Sequence, residues 1–525
     1  MSAGDGKSNE TAIVLGDVSD RKRKNHEGDG QQEHGSQRPR LASITKSCPI
    51  KLFATRQDVS LRKKNKAEDK RKTHPSWTQC WTLREMIGVG KYQGNDDHDT
   101  IEWIFISNYL IDFEFLLREL PELLSIPTAV VIYGSKDNSE EPWKASSSPN
   151  AVIDVCCRDP SRPPFTPKNP LKMQLDFGVH HTKLFLVGYA SGRLRLIVHT
   201  ANLRYNDIHL KTQGAYIEDF WPKKALPSIP VAPSEFEATL ISYLKTYHYF
   251  KQHTWSKVLG GNSCTLVDLL GLYDFSTARG ALIPSTPGFH KPHEFQNLGY
   301  LKLGQAIVQN TTSPLHLKGR AKHTNAALRW PKPIVCQYSS IGSLSKNYLY
   351  NLEASWDIGQ AHTNSKNKVS NTCNMCANAS KPHSLKLVYP TRDEICRSVE
   401  ETMGGSSVPG RKNNVNKPFL KQLYHKWSPS SSQLSSINQF QQDSYSSSDS
   451  ENDMSEPTDA DDDPLNKAKN VPHIKTYYQP TQDDKSMEWF VLSSHNLSKG
   501  MCKTFPSNFI WDVLRGFFVL TYAEY

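Results

Sequence analysis

No apolar run in this 525-residue sequence reaches the roughly 18 residues that a membrane-spanning helix needs. The polar start, Met-Ser-Ala-Gly-Asp-Gly-Lys, excludes a secretory signal. Cysteine is sparse: ten residues scattered along the chain do not make a disulfide scaffold. Cys373 and Cys376 form a single C-x-x-C in a polar, Asn-rich stretch. With no second pair nearby it reads as a loop with two free thiols, not as a zinc site. Compact clusters of histidine and carboxylate at metal-ligand spacing are also missing, so neither metal nor other cofactor is expected.

Acid is scarce as well, outside one place. Residues 429–470 hold nine acids and two lysines, while the whole chain carries +10 with a pI near 8.9. The body of the protein is therefore more basic than the total suggests, which suits a polyanion such as nucleic acid. An apolar fraction of 37% with 10% aromatics is enough for sizeable cores, and the length favours more than one lobe.

Residues 1–46 read as a disordered N-terminal region. Within them Arg21–Lys24 (Arg-Lys-Arg-Lys) is a candidate nuclear import signal; a second basic run spans Arg62–Lys72. Strands are predicted at Trp103–Ile106, Ala129–Tyr133, Ala151–Val155, Lys183–Val187 and Leu194–Val198, with helices over Tyr109–Leu124 and Glu235–Tyr249. Strands alternating with helices indicate an α/β sandwich. The turn residues Ser285–Gly288 mark the end of a first lobe, giving lobes over 47–290 and 291–525. Polar insertions interrupt the second at about 355–382 and 428–470; the latter, acidic and Ser-rich, reads as a solvated surface segment open to phosphorylation.

The strongest signal is a chemical motif that occurs twice. His181-Thr-Lys183 is followed by Asn202-Leu203, and His473-Ile-Lys475 by Asn496-Leu497, with 19 and 21 positions from Lys to Asn. On an extended strand, residues i and i+2 share a face, so each His projects with its Lys. Each Asn follows the next apolar strand, where a hairpin return brings it back beside the pair. Two facing sets supply two imidazoles, two ammonium groups and two carboxamides. A phosphodiester transition state gathers negative charge on its non-bridging oxygens, which fixed Lys and Asn donors stabilise without a metal. One imidazole can attack phosphorus. The other can protonate the leaving oxygen and then deprotonate water.

These residues, with Leu175–Lys183, His199–Leu203, Lys211–Gly214, Leu240–Leu244, Ser285–Gly288, Gln337–Leu344, Pro472–Tyr477 and Asn496–Lys499, make the chain resemble the tyrosyl-DNA phosphodiesterases of the phospholipase D superfamily. The likeness covers roughly 47–500. The phospholipase branch has H-x-K-x4-D; here the Asp positions hold Gly188 and Pro480, a departure shared with the tyrosyl-DNA branch. The resemblance implies a pseudo-two-fold α/β/α/β/α sandwich and metal-independent hydrolysis of 3′-phosphotyrosyl, and other blocked, DNA ends to a 3′-phosphate.

It further implies His181 as nucleophile, through a covalent phosphohistidine, and His473 as general acid and then base. Lys183, Lys475, Asn202 and Asn496 hold the phosphate. Phe177 stacks on a base, Ser340, Ser343 and Ser498 touch the DNA backbone, Gln213 supports the first set, and His180 is structural. The implied partners are a single-stranded DNA 3′ end and a tyrosyl peptide left by topoisomerase I. The implied setting is a monomer in the nucleus, without membrane contact.

The family carries a late Glu that orients a catalytic histidine. Only 26 residues follow Lys499 here, Asp512 is a poor counterpart, and the expectation is a truncated second lobe. Two other readings therefore stay open: a DNA-end binding protein with impaired catalysis, and a general phospholipase D-like phosphodiesterase.

Overall fold

The computed structural model describes residues 48–67, 79–89, 99–126, 128–137, 152–155, 179–223, 232–246, 265–286, 288–290, 297–311, 333–356, 384–427, 470–481, 486–497, 503–504, 510–512 and 514–521. The expected disordered region 1–46, Arg21–Lys24, Cys373, Cys376, the segment 428–469, Phe177 and Ser498 lie outside these residues. Everything described below belongs to one compact unit, Ile44–Tyr525.

Two mixed sheets form it. The first runs β2 (Cys80–Trp81), β1 (Ile50–Phe53), β10 (Gly214–Pro222), β8 (Leu194–His199), β7 (Leu184–Tyr189), β3 (Ile101–Asp112), β4 (Thr128–Asp137), β5 (Val152–Val155), with β11 (Tyr273–Asp274) paired to β10. The second runs β12 (Gly280–Ser285), β22 (Leu514–Thr521), β19 (Met487–Ser493), β18 (Lys475–Pro480), β14 (Ile334–Gln337), β15 (Leu385–Val388), β16 (Tyr424–His425). The short strand β6 (Val179–His180) pairs with β22, and β9 (Lys211–Thr212) with β17 (Val471–Pro472). A small separate sheet joins β13 (Gly288–His290), β21 (Ile510–Asp512) and β20 (Lys503–Thr504).

The sheets repeat one another strand for strand. The series β10-β8-β7-β3-β4-β5 matches β22-β19-β18-β14-β15-β16. In both, the first four strands are antiparallel and the last three parallel. Leu514–Thr521 thus fills in the second sheet the place that Gly214–Pro222 fills in the first. Asp512 pairs through its backbone with Gly288 in the small sheet.

The alternation of side chains explains the layers. Along β7, Leu184 and Leu186 face one core while Phe185 and Val187 face another; along β3, Trp103 and Phe105 oppose Ile104 and Ile106. A strand apolar on both faces must be covered on both. Helices Leu83–Ile87 and Phe113–Glu119 cover the outer face. On the inner face lie helices Glu235–Lys245 and Leu266–Leu270, with Leu282, Ile474 and Leu492 of the second half. Beyond the second sheet, Tyr477, Trp489 and Val491 pack with helices Gly299–Thr311 and Lys346–Trp356. This is the expected α/β/α/β/α sandwich. Each fully buried Leu, Ile or Phe in these layers contributes roughly 1.5–3 kcal/mol relative to exposure.

Local signals set the element ends. Ser234 caps Glu235–Lys245 by accepting from the Glu237 N–H at 3.2 Å. Phe236, Leu240, Tyr243 and Leu244 then fall on one helical face. The helix predicted over Tyr109–Leu124 is corrected: β3 continues through Asp112, and only Phe113–Glu119 is α-helical, followed by a 3-10 turn at Pro121–Leu124. Continued pairing of Ile111 with Lys136 and a bridge to Leu203 hold 109–112 extended. Asp112 then starts the helix by accepting from the Phe115 N–H at 3.1 Å.

Gly188, where the phospholipase branch has Asp, has no room for a side chain: a Cβ there would meet the Trp103 indole nitrogen at 2.0 Å. Restoring that acid by Gly188→Asp would force the buried indole aside and bury a charge. Denaturant unfolding should show a loss of at least about 3 kcal/mol.

Candidate active site

The two H-x-K motifs lie at the entrances of equivalent strands, not within them. His181, Thr182 and Lys183 precede β7, and His473 and Ile474 precede β18, which begins at Lys475. The middle residue anchors each motif in the inner core. The Thr182 hydroxyl bonds Tyr243 of helix Glu235–Lys245, and Ile474 packs among the inner-layer residues. The flanking His and Lys therefore turn together to the other side. Lys183 Nζ lies 3.3 Å from His181 Nδ1 and 3.4 Å from the His181 carbonyl, and Lys475 Nζ donates to the His473 carbonyl.

The Asn-Leu pairs behave alike. Each Leu is buried and bridges its sheet, Leu203 to Ile111 and Leu497 to Ile341. That fixes the preceding Asn at the end of the hairpin. Asn496 Oδ1 accepts from Ser339 N at 3.1 Å, Ser339 Oγ at 3.2 Å and Ser340 N at 2.9 Å. Three donors on the oxygen turn its NH2 away from them, leaving it for an anion. Asn202 differs. Its Nδ2 donates to Asp207 Oδ2 at 2.6 Å, so one of its two donors is already used within the protein.

Backbone pairing joins the halves at the site. His473 N and Ile474 N both donate to the Thr212 carbonyl, at 3.1 and 2.9 Å. Asn470 Nδ2 donates to the Leu210 carbonyl at 2.9 Å, and Ser494 Oγ donates to the His181 carbonyl at 3.4 Å. Gln213 is fully buried. Its Oε1 accepts from Thr200 Oγ1 at 2.7 Å, which turns its Nε2 to donate to His473 Nδ1 at 2.9 Å. Gln213 thus serves the second histidine, not the first set as expected.

The remaining expected residues fall as follows. His180 is buried with Nε2 3.1 Å from Ser107 Oγ, a packing role. Ser340 Oγ donates to the Pro409 carbonyl at 3.0 Å, and the exposed Ser343 accepts from Lys417 Nζ at 3.1 Å. Both serines flank Asn496's support loop.

Five residues near the histidines were not singled out from sequence. Tyr109 stacks on His181 with ring centroids 5.1 Å apart and lies under Lys183 Nζ at 5.7 Å. His495, buried, tilts against His181 at 6.4 Å. Asp207 and Lys211 form a buried ion pair at 3.1 Å, and Lys211 also reaches Glu400 at 3.1 Å. The position of His495 directly before Asn496 of the second motif was the available hint; Tyr109 and Glu400 carry no local signal.

Charge is concentrated here. Burial, then Lys183 and Lys475, hold His181 well below its ordinary pKa. Lys183 is likewise depressed by burial and Lys475. His473 is lowered by burial and Lys475, with Asp207 opposing. Burial pushes the Lys475 ammonium down to about 7, again against Asp207. Asp207 itself stays well below the usual carboxylate range: burial would raise it, but His473, Lys211 and the Lys211 and Asn202 hydrogen bonds outweigh that. Among the described residues no three His, Cys, Asp or Glu side chains are placed to hold a metal ion, and no helix is long and apolar enough to cross a membrane.

A lysine poised near neutrality should couple anion binding to protons. A dianion raises the Lys475 pKa, so binding above pH 7 takes up a proton and weakens as pH rises, while below pH 7 the lysine is already charged. Calorimetric titration with tungstate in buffers of different ionisation enthalpy should show uptake at about pH 8 that Lys475→Met abolishes.

Comparison with known proteins follows the same lines. A family model described as tyrosyl-DNA phosphodiesterase matches residues 63–500. The chain is 26% identical over 427 residues to tyrosyl-DNA phosphodiesterase 1 of Arabidopsis thaliana, covering 81% of this chain and 56% of that protein. It is 28% identical over 349 residues to tyrosyl-DNA phosphodiesterase 1 of Drosophila melanogaster, covering 64% and 48%. The chain thus spans about half the length of these curated relatives. Among solved structures it is similar to yeast tyrosyl-DNA phosphodiesterase, with TM-score 0.51 and 16% identity over 85% of this chain and 86% of that one, a likeness of fold.

Proposed function

The chain belongs to the tyrosyl-DNA phosphodiesterase family, and we propose that it hydrolyses the bond between a DNA 3′ phosphate and a tyrosine, leaving a 3′-phosphate. The observation that carries this reading is the docking of the second H-x-K motif on Gln213, Asp207 and the Thr212 carbonyl of the first half, with Ser494 donating to the His181 carbonyl, which brings the two motifs into one site.

Nδ1 of His181 lies against Lys183, which leaves Nε2 for phosphorus; attack proceeds from the tautomer whose ring proton is on Nδ1 and whose lone pair is on Nε2. An N–P bond forms, the P–O bond to tyrosine breaks, and His473 Nε2 gives its proton to the leaving phenolate. In the second step His473 takes a proton from water, the water oxygen attacks phosphorus, and the N–P pair returns to His181. A histidine depressed by burial and by two lysines is unprotonated at neutral pH, as a nucleophile must be. Lys183, Lys475 and the Asn496 amide hold the non-bridging oxygens; Asn202 contributes through its remaining donor.

Phe177, Ser340, Ser343 and Ser498 line the DNA side in this reading. The partners are a single-stranded 3′ end and a topoisomerase I-derived tyrosyl peptide, met by a monomer in the nucleus.

His181→Ala should form no covalent adduct with a 3′-tyrosyl oligonucleotide. His473→Asn should accumulate one and hydrolyse it about 10²–10⁴-fold more slowly. Denaturing gels of trapped protein–DNA test both; an adduct in the His181→Ala protein reassigns the nucleophile. In EDTA, faster turnover of phosphatidylcholine than of the tyrosyl oligonucleotide would favour a lipid substrate, and binding without tyrosine release a DNA-end binding protein.

A further inference from the structure

His473 must work in two protonation states, and two different groups face its Nδ1. Gln213, oriented by Thr200, offers an N–H at 2.9 Å. That contact suits a neutral ring with a lone pair on Nδ1, the tautomer whose proton sits on Nε2; to take a proton from water at Nε2 the ring must instead carry its proton on Nδ1. The imidazolium, and the neutral ring that takes a proton from water at Nε2, both carry N–H on Nδ1 and need an acceptor there; Gln213 Oε1 lies 3.4 Å from Nδ1. Asp207 Oδ2 lies 3.9 Å away, buried, and fixed by hydrogen bonds from Asn202 N at 3.1 Å, Asn202 Nδ2 at 2.6 Å and Lys211 Nζ at 3.1 Å to its other oxygen.

Resting on the phosphodiesterase reading above, we propose that Asp207 is the positioning residue for the acid form of His473. It holds the imidazolium while the proton passes from Nε2 to the tyrosine oxygen, and keeps the remaining proton on Nδ1, so that Nε2 is left with the lone pair that takes a proton from water in the step that follows. The other charged groups around His473 oppose the acid form: Lys475, Lys183 and Lys211 all disfavour a proton there. Lys211 is itself partly offset by Glu400 from the second half, at 3.1 Å. Asp207 is the carboxylate that acts the other way on His473, and it does the same for Lys183 and Lys475.

The leaving group distinguishes this role from a merely structural one. Tyrosine leaves as a poor phenolate and needs the acid; p-nitrophenol leaves without one. Single-turnover rates are compared for 3′-tyrosyl and 3′-(p-nitrophenyl) oligonucleotides with the wild-type chain and Asp207→Asn, which keeps the shape and an acceptor for Asn202. Adduct formation with the tyrosyl substrate should fall about 10–100-fold, part of the usual worth of a general acid, while the p-nitrophenyl substrate changes less than about threefold.

In a His473→Ala background, Asp207→Asn should add no further loss on the tyrosyl substrate. Equal losses on both substrates, or full additivity with His473→Ala, overturn the proposal. If Asp207→Asn unbalances the ion-pair chain and leaves the protein insoluble, the triple variant Asp207→Asn/Lys211→Met/Glu400→Gln, which removes the chain of charges whole, is read by the same two criteria. A wild-type chain that releases neither tyrosine nor p-nitrophenol would instead overturn the phosphodiesterase reading.

Discussion

Two lysines and three histidines from opposite halves of the chain share one buried neighbourhood, and like charges do not assemble unaided. Burial first, and then their mutual repulsion, depresses the affinity of Lys183, His181 and His473 for protons, while Lys475 is depressed by burial and Lys211. It is resisted by one ion-pair chain, Asp207–Lys211–Glu400, that crosses from the first half to the second. Taking these charges out of water is costly, and such a network persists because Asp207 is bonded by both Asn202 and Lys211, and Lys211 by both Asp207 and Glu400. The site gains from the same tension: a pocket crowded with cations is a place where a phosphate dianion is the missing charge.

Rigidity comes from the fold, not from the site. The inner layer carries the middle residue of each motif, Thr182 against Tyr243 and Ile474 among the core side chains, so the reactive residues are aimed by packing behind them. The two sheets share a strand order, and each presents its hairpin end to the other. A duplicated layout places two identical tools, and small local differences then divide the labour. His181 sits against Tyr109 and His495, whereas His473 sits against Gln213 and Asp207.

Much of this was legible in the sequence because it is local. Spacing of two residues in H-x-K and the apolar strands beside it require no knowledge of distant contacts, and short apolar runs alone indicated β7 and β8. The extent of β3 was not legible: Tyr109–Asp112 can continue a helical pattern, and only pairing with β4 and Leu203 keeps it extended. Gln213 was assigned to the wrong histidine for a related reason. Thr200 turns its amide, and the receiving ring is 260 positions away. Asp207 stands five residues after Asn202 and is ordinary as sequence; its weight appears only once Lys211, Glu400 and His473 surround it.

That separation of 260 positions between Gln213 and His473 bears on how the protein comes to exist. The first sheet has its own core and can mature while the ribosome is still making the second. The surroundings of the imidazole at 181 are nevertheless complete only once the stretch through Ser494 has been synthesised and docked.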